Sequence, residues 1–205
     1  YNSSNIDVKV KKITLNDLAN STIYMHMNLD IEDKFLKELQ KINPHLELFD
    51  MSKDIKKIIT NGVENPYVWL DPLKTREVAK TVFFKLSDMD PKNRKFYKKN
   101  YELFVQELDD LYIRIKQTLS TSSFSIYAFD NYWDYYMARF DFPIYKVEKK
   151  VLSTNEIASF IKISKKRDVR ILVVDDKTPL KISKSVAFNA TTKIVNSNIY
   201  NYTFM

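Results

Sequence analysis

Ile171-Leu172-Val173-Val174, running into Asp175-Asp176, is an unbroken apolar run that ends on two carboxylates. A strand with one wet face alternates apolar and polar side chains, so a strand that is apolar at each position needs cover on both faces, as parallel sheets receive from their crossover helices. Carboxylates just past the carboxyl end of such a strand stand where open α/β sheets bind ligands. The flanking sequence has matching grammar. Before the run, Phe124 to Phe129 reads as a strand, a helix follows to Phe140, Ile144 to Val147 is a strand and a helix starts at Thr154. After it come a helix from Pro179 and a strand at Lys193 to Val195. Ser153-x-x-Glu156 is a capping box and Thr178-Pro179 a cap followed by proline, so both helix starts carry their own signal. Such alternation predicts a parallel sheet with right-handed crossovers.

Upstream, apolar residues from Pro91 to about Leu119 recur every three or four positions without a breaker, among them Tyr97, Tyr101, Leu108, Tyr112 and Ile115. At 1.5 Å per residue this helix is about 40 Å long, enough to join two lobes, and its aromatic stripe is unlike the leucine heptads of a coiled coil. Ahead of it, Ile6 to Val10 and Thr22 to Met27 read as strands with a helical turn at Leu15 and Leu18 between them. Glu32 to Ile42 is a helix stopped by Asn43-Pro44, Leu46 to Phe49 a strand, and Asp71-Pro72 a cap and start for a helix carrying Val78, Val82, Phe83 and Leu86. The predicted fold is α/β, two lobes with small parallel sheets joined by one long backbone helix. The boundaries fall at an N-terminal lobe 1–88, a linking helix 89–120 and a C-terminal α/β lobe 121–205.

Composition narrows the chemistry. With 205 residues, 44% of them apolar and 14% aromatic, the chain can fill real cores. No apolar run approaches the roughly 18 to 20 residues that span a bilayer. The absence of cysteine excludes disulfides and thiolate metal sites. A single glycine, Gly62, removes the glycine-rich loops that cradle phosphates, and with them mononucleotide and dinucleotide folds. The net charge of +7 is spread among acidic residues. Lys92-Asn93-Arg94-Lys95 and Lys165-Lys166-Arg167 are short helix-end clusters, not the basic stripe that nucleic acid requires. There is no cysteine nucleophile, no Gly-x-Ser-x-Gly elbow and no His-Glu-x-x-His helix, and His26 and His45 alone make no acid–base constellation, so no enzyme is expected.

Asn65-Pro66-Tyr67-Val68-Trp69-Leu70-Asp71-Pro72, then Asp90-Pro91 with Tyr97-Lys98-Lys99-Asn100, then Asp130 with Tyr135, Arg139, Phe140 and Asp141, follow one another along the chain. In order and spacing this resembles the solute-binding lipoproteins and periplasmic proteins of zinc and manganese ABC importers. Those read roughly Asp-Pro-His-x-Trp-Leu-Asp-Pro in the first segment, with Tyr67 here at the histidine position. Their Arg-Tyr-Gly turn corresponds to Arg139-Phe140-Asp141, and their later strand ending in Glu-Pro to Val173-Val174-Asp175-Asp176. The resemblance covers roughly residues 13 to 200 of a shortened example, without that family's first strand and helix or its last helix. It implies a solute-binding protein that captures a divalent or ferric ion in an interlobe cleft and delivers it to a membrane permease. It further implies a monomer located in the periplasm, or anchored outside the cytoplasm by a signal or anchor absent from this chain. Nucleic acid and a transmembrane segment have no part in it. The alternative is a metal-free paralogue that binds another ligand or a protein partner.

The implied metal residues are Tyr67, Asp130, Asp175 and Asn196, the last standing where the family has an aspartate after its final strand. Each has a plainer role open to it. Tyr67 serves equally as a cleft-lining aromatic, Asp130 as a helix cap, and Asp175 and Asp176 as loop groups behind the ligands. Tyr132, Trp133, Tyr135 and Tyr136 form either an aromatic wall or core. The donor set is rich in oxygen, which suits manganese or iron better than zinc, and the implied bound species is one ion of manganese, iron or zinc, or none.

Overall fold

The computed structural model describes residues 18–60, 62–128, 132–146, 153–174 and 180–196. The strand expected at Ile6 to Val10 and the turn at Leu15 lie outside these residues, as do Asp130 and Asp175. The chain divides into two compact units, Tyr1–Tyr112 and Ile113–Met205.

In the first unit, β1 (Ile23–His26) and β2 (Glu47–Asp50) pair in parallel from Ile23 opposite Glu47 to His26 opposite Asp50. Parallel neighbours need a crossover, which α1 (Asp30–Ile42) provides. Leu36 and Leu39 bury its inner side, and the ring of Phe35 meets Tyr24 at 5.5 Å. At its start Glu32 reaches back so that its Oε2 accepts the N–H groups of Leu29 at 2.9 Å and Met27 at 3.1 Å, satisfying donors that a helix start leaves open. A short antiparallel hairpin, β3 (Ile59–Thr60) and β4 (Val63–Glu64), was not foreseen. Its signal was present: Asn61-Gly62 between two short β-prone pairs is the sequence of a two-residue hairpin turn, and Gly62 takes φ +78°.

A 3₁₀ turn at Val68–Leu70 leads into α2 (Pro72–Met89). The long helix expected from Pro91 opens instead as a 3₁₀ turn, Pro91–Asn93, closed by Asn93 N–H on the Asp90 carbonyl at 3.2 Å. α3 (Arg94–Ser120) follows for 27 residues, about 40 Å at 1.5 Å each, and runs from the first unit into the second. Phe83 of α2 stacks on Tyr101 of α3 at 5.2 Å. The Asp90 carboxylate accepts from Asn93 Nδ2 at 2.6 Å and from the Tyr97 hydroxyl at 2.9 Å, and these bonds hold its pKa below the ordinary value.

The second unit alternates β5 (Ser125–Ala128), α4 (Asp134–Phe140), β6 (Ile144–Lys146), α5 (Thr154–Lys166), β7 (Val169–Val174), α6 (Leu180–Ala190) and β8 (Lys193–Asn196). Its strands form one parallel sheet in the order β6-β5-β7-β8. The first crossover moves outward from β5 and the next returns past it to β7. With right-handed connections, that reversal sends α4 to one face of the sheet and α5 and α6 to the other. The core has two sides accordingly. Leu172 and Val174 of β7 pack with Tyr127, Phe160 and Val186, whereas Val173 packs with Ala128, Phe142 and Ile144. The unbroken apolar run is therefore buried from both sides, as its composition demands. The Ser153 cap is formed as well, its Oγ accepting the Glu156 N–H at 3.3 Å while Glu156 returns to the Ser153 N–H at 2.8 Å.

Among the described residues, four other than glycine hold left-handed backbone: Asn28 (φ 57°), Asp141 (48°), Asp168 (46°) and Thr191 (57°). Asparagine and aspartate tolerate this region; branched Thr191, just past the end of α6, does not. Thr191→Gly is expected to stabilise the fold by about 0.5 to 1 kcal/mol, the left-handed penalty less the greater chain entropy of glycine. A urea titration with an unchanged slope checks this, and a lower midpoint would contradict it.

The Asp90 bonds predict a pH effect in the acid range. Because the folded pKa is depressed, their contribution is present above the unfolded value near ~3.9 and disappears as pH falls through the folded value. Removing one donor with Tyr97→Phe should move the Asp90 titration, followed by carboxyl NMR, upward; a downward or absent shift would show that the hydroxyl does not hold it.

Candidate metal centre

The segment 65–72 is built by its own side chains. Asn65, 4% exposed, accepts the Tyr67 N–H on its Oδ1 at 3.0 Å and donates its own N–H to the Ile58 carbonyl at 2.8 Å. Val68 is fully buried and plugs the turn. Asp71 is buried and accepts the Leu73 N–H at 2.9 Å, capping α2 where Pro72 occupies the first helical position. The Thr75 hydroxyl donates to the carbonyls of Trp69 at 3.2 Å and Asp71 at 3.0 Å. Asn65, Asp71 and Pro72 are thus accounted for by architecture. Tyr67 is half-buried, with its ring edge-on to Trp69 at 5.4 Å.

The other three candidates belong to the second unit. Asp130 and Asp175 lie outside the described residues, but the strands that lead to them do not. β5 ends at Ala128 and β7 at Val174; the strands are neighbours, with Ala128 opposite Val173. Asn196 closes β8 opposite Val174 and is exposed. In a parallel sheet these carboxyl ends share one edge, and the β5–β7 border is the point where strand order reverses, the usual ligand position of open α/β sheets.

A fixed ion pair sits at that edge. Lys146, the last residue of β6 and the partner of Ala128, pairs with Asp134 at the start of α4. Sequence reading missed it, because the two residues belong to different periodic segments and only the sheet register brings them together. Among the described residues, no three His, Cys, Asp or Glu side chains converge. His26 is packed at the end of β1, with a buried Nδ1 that meets no hydrogen-bond partner, while His45 is exposed. Neighbouring Asp50 is occupied, accepting Asn28 Nδ2 at 2.5 Å on one oxygen and the Ser52 N–H and hydroxyl, both at 2.7 Å, on the other. The aromatic run after Asp130 is core: Tyr135 is 1% exposed, and Trp133 and Tyr136 pack T-shaped at 5.7 Å against the α4 side of the sheet. Burial raises the Tyr136 pKa above the ordinary phenol value.

Residues 4–201 match the family of the zinc-uptake complex component A, a periplasmic protein. This chain belongs to that family. The metal ABC transporter substrate-binding lipoprotein SloC of Streptococcus mutans is 27% identical over 169 residues, which cover 75% of this chain and 55% of SloC. The chain thus spans about half the length of that relative. The crystal structure of ZnuA aligns with a TM-score of 0.81 at 23% identity, over 91% of this chain and 74% of that one. A manganese-bound mutant of a periplasmic metal-binding protein from Candidatus Liberibacter asiaticus aligns with a TM-score of 0.75 at 14% identity, over 91% and 72% respectively. At these identities the structures speak for the fold, and they agree with small parallel sheets and one long helix. No helix among the described residues is long and apolar enough to cross a membrane.

Asp71 is expected to carry more weight for stability than its exposed neighbours. Asp71→Ala should cost about 1 to 2 kcal/mol by uncapping α2, read from urea unfolding, and a loss under about 0.5 kcal/mol would mean that Pro72 alone fixes the helix start.

Proposed function

We propose that this chain works as the solute-binding component of a metal importer, taking up a transition-metal ion outside the cytoplasm and passing it to a membrane permease. The observation that carries the reading is the family match over residues 4–201, together with a second unit whose sheet ends β5, β7 and β8 at one edge. Relatives named as substrate-binding lipoproteins support an extracytoplasmic location and a transport role, not an enzymatic one. The ion is cargo. Asp130, Asp175 and Asn196 are the proposed ligands from the second unit, and Tyr67 of the first is a separate candidate. Carboxylate and amide oxygens are hard donors, so manganese and iron fit them better than zinc, whose usual imidazole and thiolate partners this site lacks.

Thermal unfolding of chelator-stripped protein, with and without zinc, manganese or ferric iron, tests the proposal. An ion that binds only the folded state stabilises it by about 2.7 kcal/mol at a hundredfold excess over Kd. The expected result is a raised midpoint with manganese or iron, lost in Asp130→Ala and reduced in Asp175→Ala. No shift with any ion would reject metal capture and favour a metal-free paralogue of the same fold.

A further inference from the structure

The corner where α2 turns into α3 carries a surface for which nothing above has a use. Lys92, Arg94, Lys95, Lys98 and Lys99 fall within eight consecutive residues, and all five are exposed. Among them stands Phe96, 61% exposed, with Met89 at the end of α2 42% exposed and Leu103 two turns along α3 51% exposed. Lys95, Lys99, Leu103 and Phe96 fall on one side of α3 by helical spacing, so two apolar side chains stand beside two lysines on a face turned to water.

Fold stability does not call for this arrangement. Cations in the first turn of a helix oppose its dipole, and the first turn of α3 holds no acidic residue to offset them. Five cations outnumber the three acids at hand, Asp88, Asp90 and Glu102, and the Glu102 contact to Lys98, 3.6 Å between exposed groups, is a weak one. Behind the corner the helices are locked by the Phe83–Tyr101 stack, so the patch is presented on rigid backbone.

We infer that the α2–α3 corner docks on an anionic lipid surface. Lysine and arginine supply the attraction to acidic headgroups, with their apolar stems lying along the interface, while Phe96, Leu103 and Met89 enter the boundary between headgroup and acyl chain. The charge complementarity favours a negative partner. The apolar members favour a bilayer over nucleic acid, which selects stacked aromatics in a groove, since leucine and methionine offer no stacking face. The inference stands apart from the metal reading, and either survives failure of the other.

The test is co-sedimentation of the whole chain with vesicles of phosphatidylcholine alone and of an equimolar mixture with phosphatidylglycerol, at about 0.1 M salt. Wild type is expected to partition onto the acidic vesicles at least tenfold better than onto the neutral ones. Each cation near such a surface is worth about fivefold in partitioning, so the combined Lys92→Gln, Lys95→Gln and Lys99→Gln variant should lose about a hundredfold. Lys162→Gln, Lys165→Gln and Lys166→Gln together remove the same charge from α5 and should lose less than a tenth as much. Phe96→Ser should weaken binding with all charges kept, and Phe96→Trp should shift its emission to the blue on acidic vesicles only. Three results would overturn the inference: no preference for acidic vesicles, equal losses from the two triple variants, or an unaffected Phe96→Ser. The last of these would leave the patch to an acidic protein.

Discussion

Strand β7 is the member on which the second unit depends. It pairs with both β5 and β8, and its alternate side chains feed two separate cores, Leu172 and Val174 into one and Val173 into the other. Past its exposed Arg170, β7 has no wet face and so no surface on which a polar residue is cheap, which is why the sequence there is an unbroken apolar run from Ile171 to Val174. Direction follows from the same burial. Because both faces need cover, the crossovers must pass on opposite sides, and handed connections achieve this only if strand order reverses beside β7. The reversal at the β5–β7 border is therefore a consequence of packing, because the same crossovers complete the two cores.

A chain with one glycine meets the geometric needs of turns by other means. Asn28 ends the β1 strand segment and Asp141 ends α4, each in left-handed backbone and each a residue whose short polar side chain lowers the cost. Asp168 turns α5 into β7 and then accepts two nitrogens of Arg170, at 3.1 and 2.8 Å from its Oδ2, so one residue serves as turn and as ion-pair partner. Only Gly62 occupies a hairpin tip, where open space surrounds it and the demand is purely on φ.

Most of the fold was legible because its signals are local and agree with one another. The Ser153 capping box, the Asp71-Pro72 start, the stop at Asn43-Pro44 and the period of α3 each depend on residues within a turn or two. What escaped was either very short or non-local. β3 and β4 are two residues each, too brief for any period to register, and only the turn residues betrayed them. The Lys146–Asp134 pair and the unmet Nδ1 of His26 depend on sheet register, which no single segment encodes. The candidate site divides in the same way. Strand ends and helix starts gave its frame, whereas the ligand identities rested on matching positions to a family pattern in which Tyr67 replaces histidine.

On the proposed reading, that replacement changes more than the choice of ion. An imidazole ligand has to be neutral to bind, and with an unperturbed pKa near ~6.5 it loses metal to protons just below neutrality. Carboxylates near ~4 keep their charge about two pH units lower. Lys146 and Asp134 cancel each other at the sheet edge, so net charge for an arriving cation comes from Asp130, Asp175 and Asp176, which follow β5 and β7 in sequence. A site of that composition binds more weakly than one with three histidines, because hard oxygen donors gain less from a transition metal than imidazole does. Its carboxylates stay deprotonated in mildly acidic surroundings where a histidine site empties, whereas a tyrosine phenol, with an unperturbed pKa near ~10, is protonated there. On that reading, carboxylate donors in place of histidine shift the working range toward lower pH and harder ions.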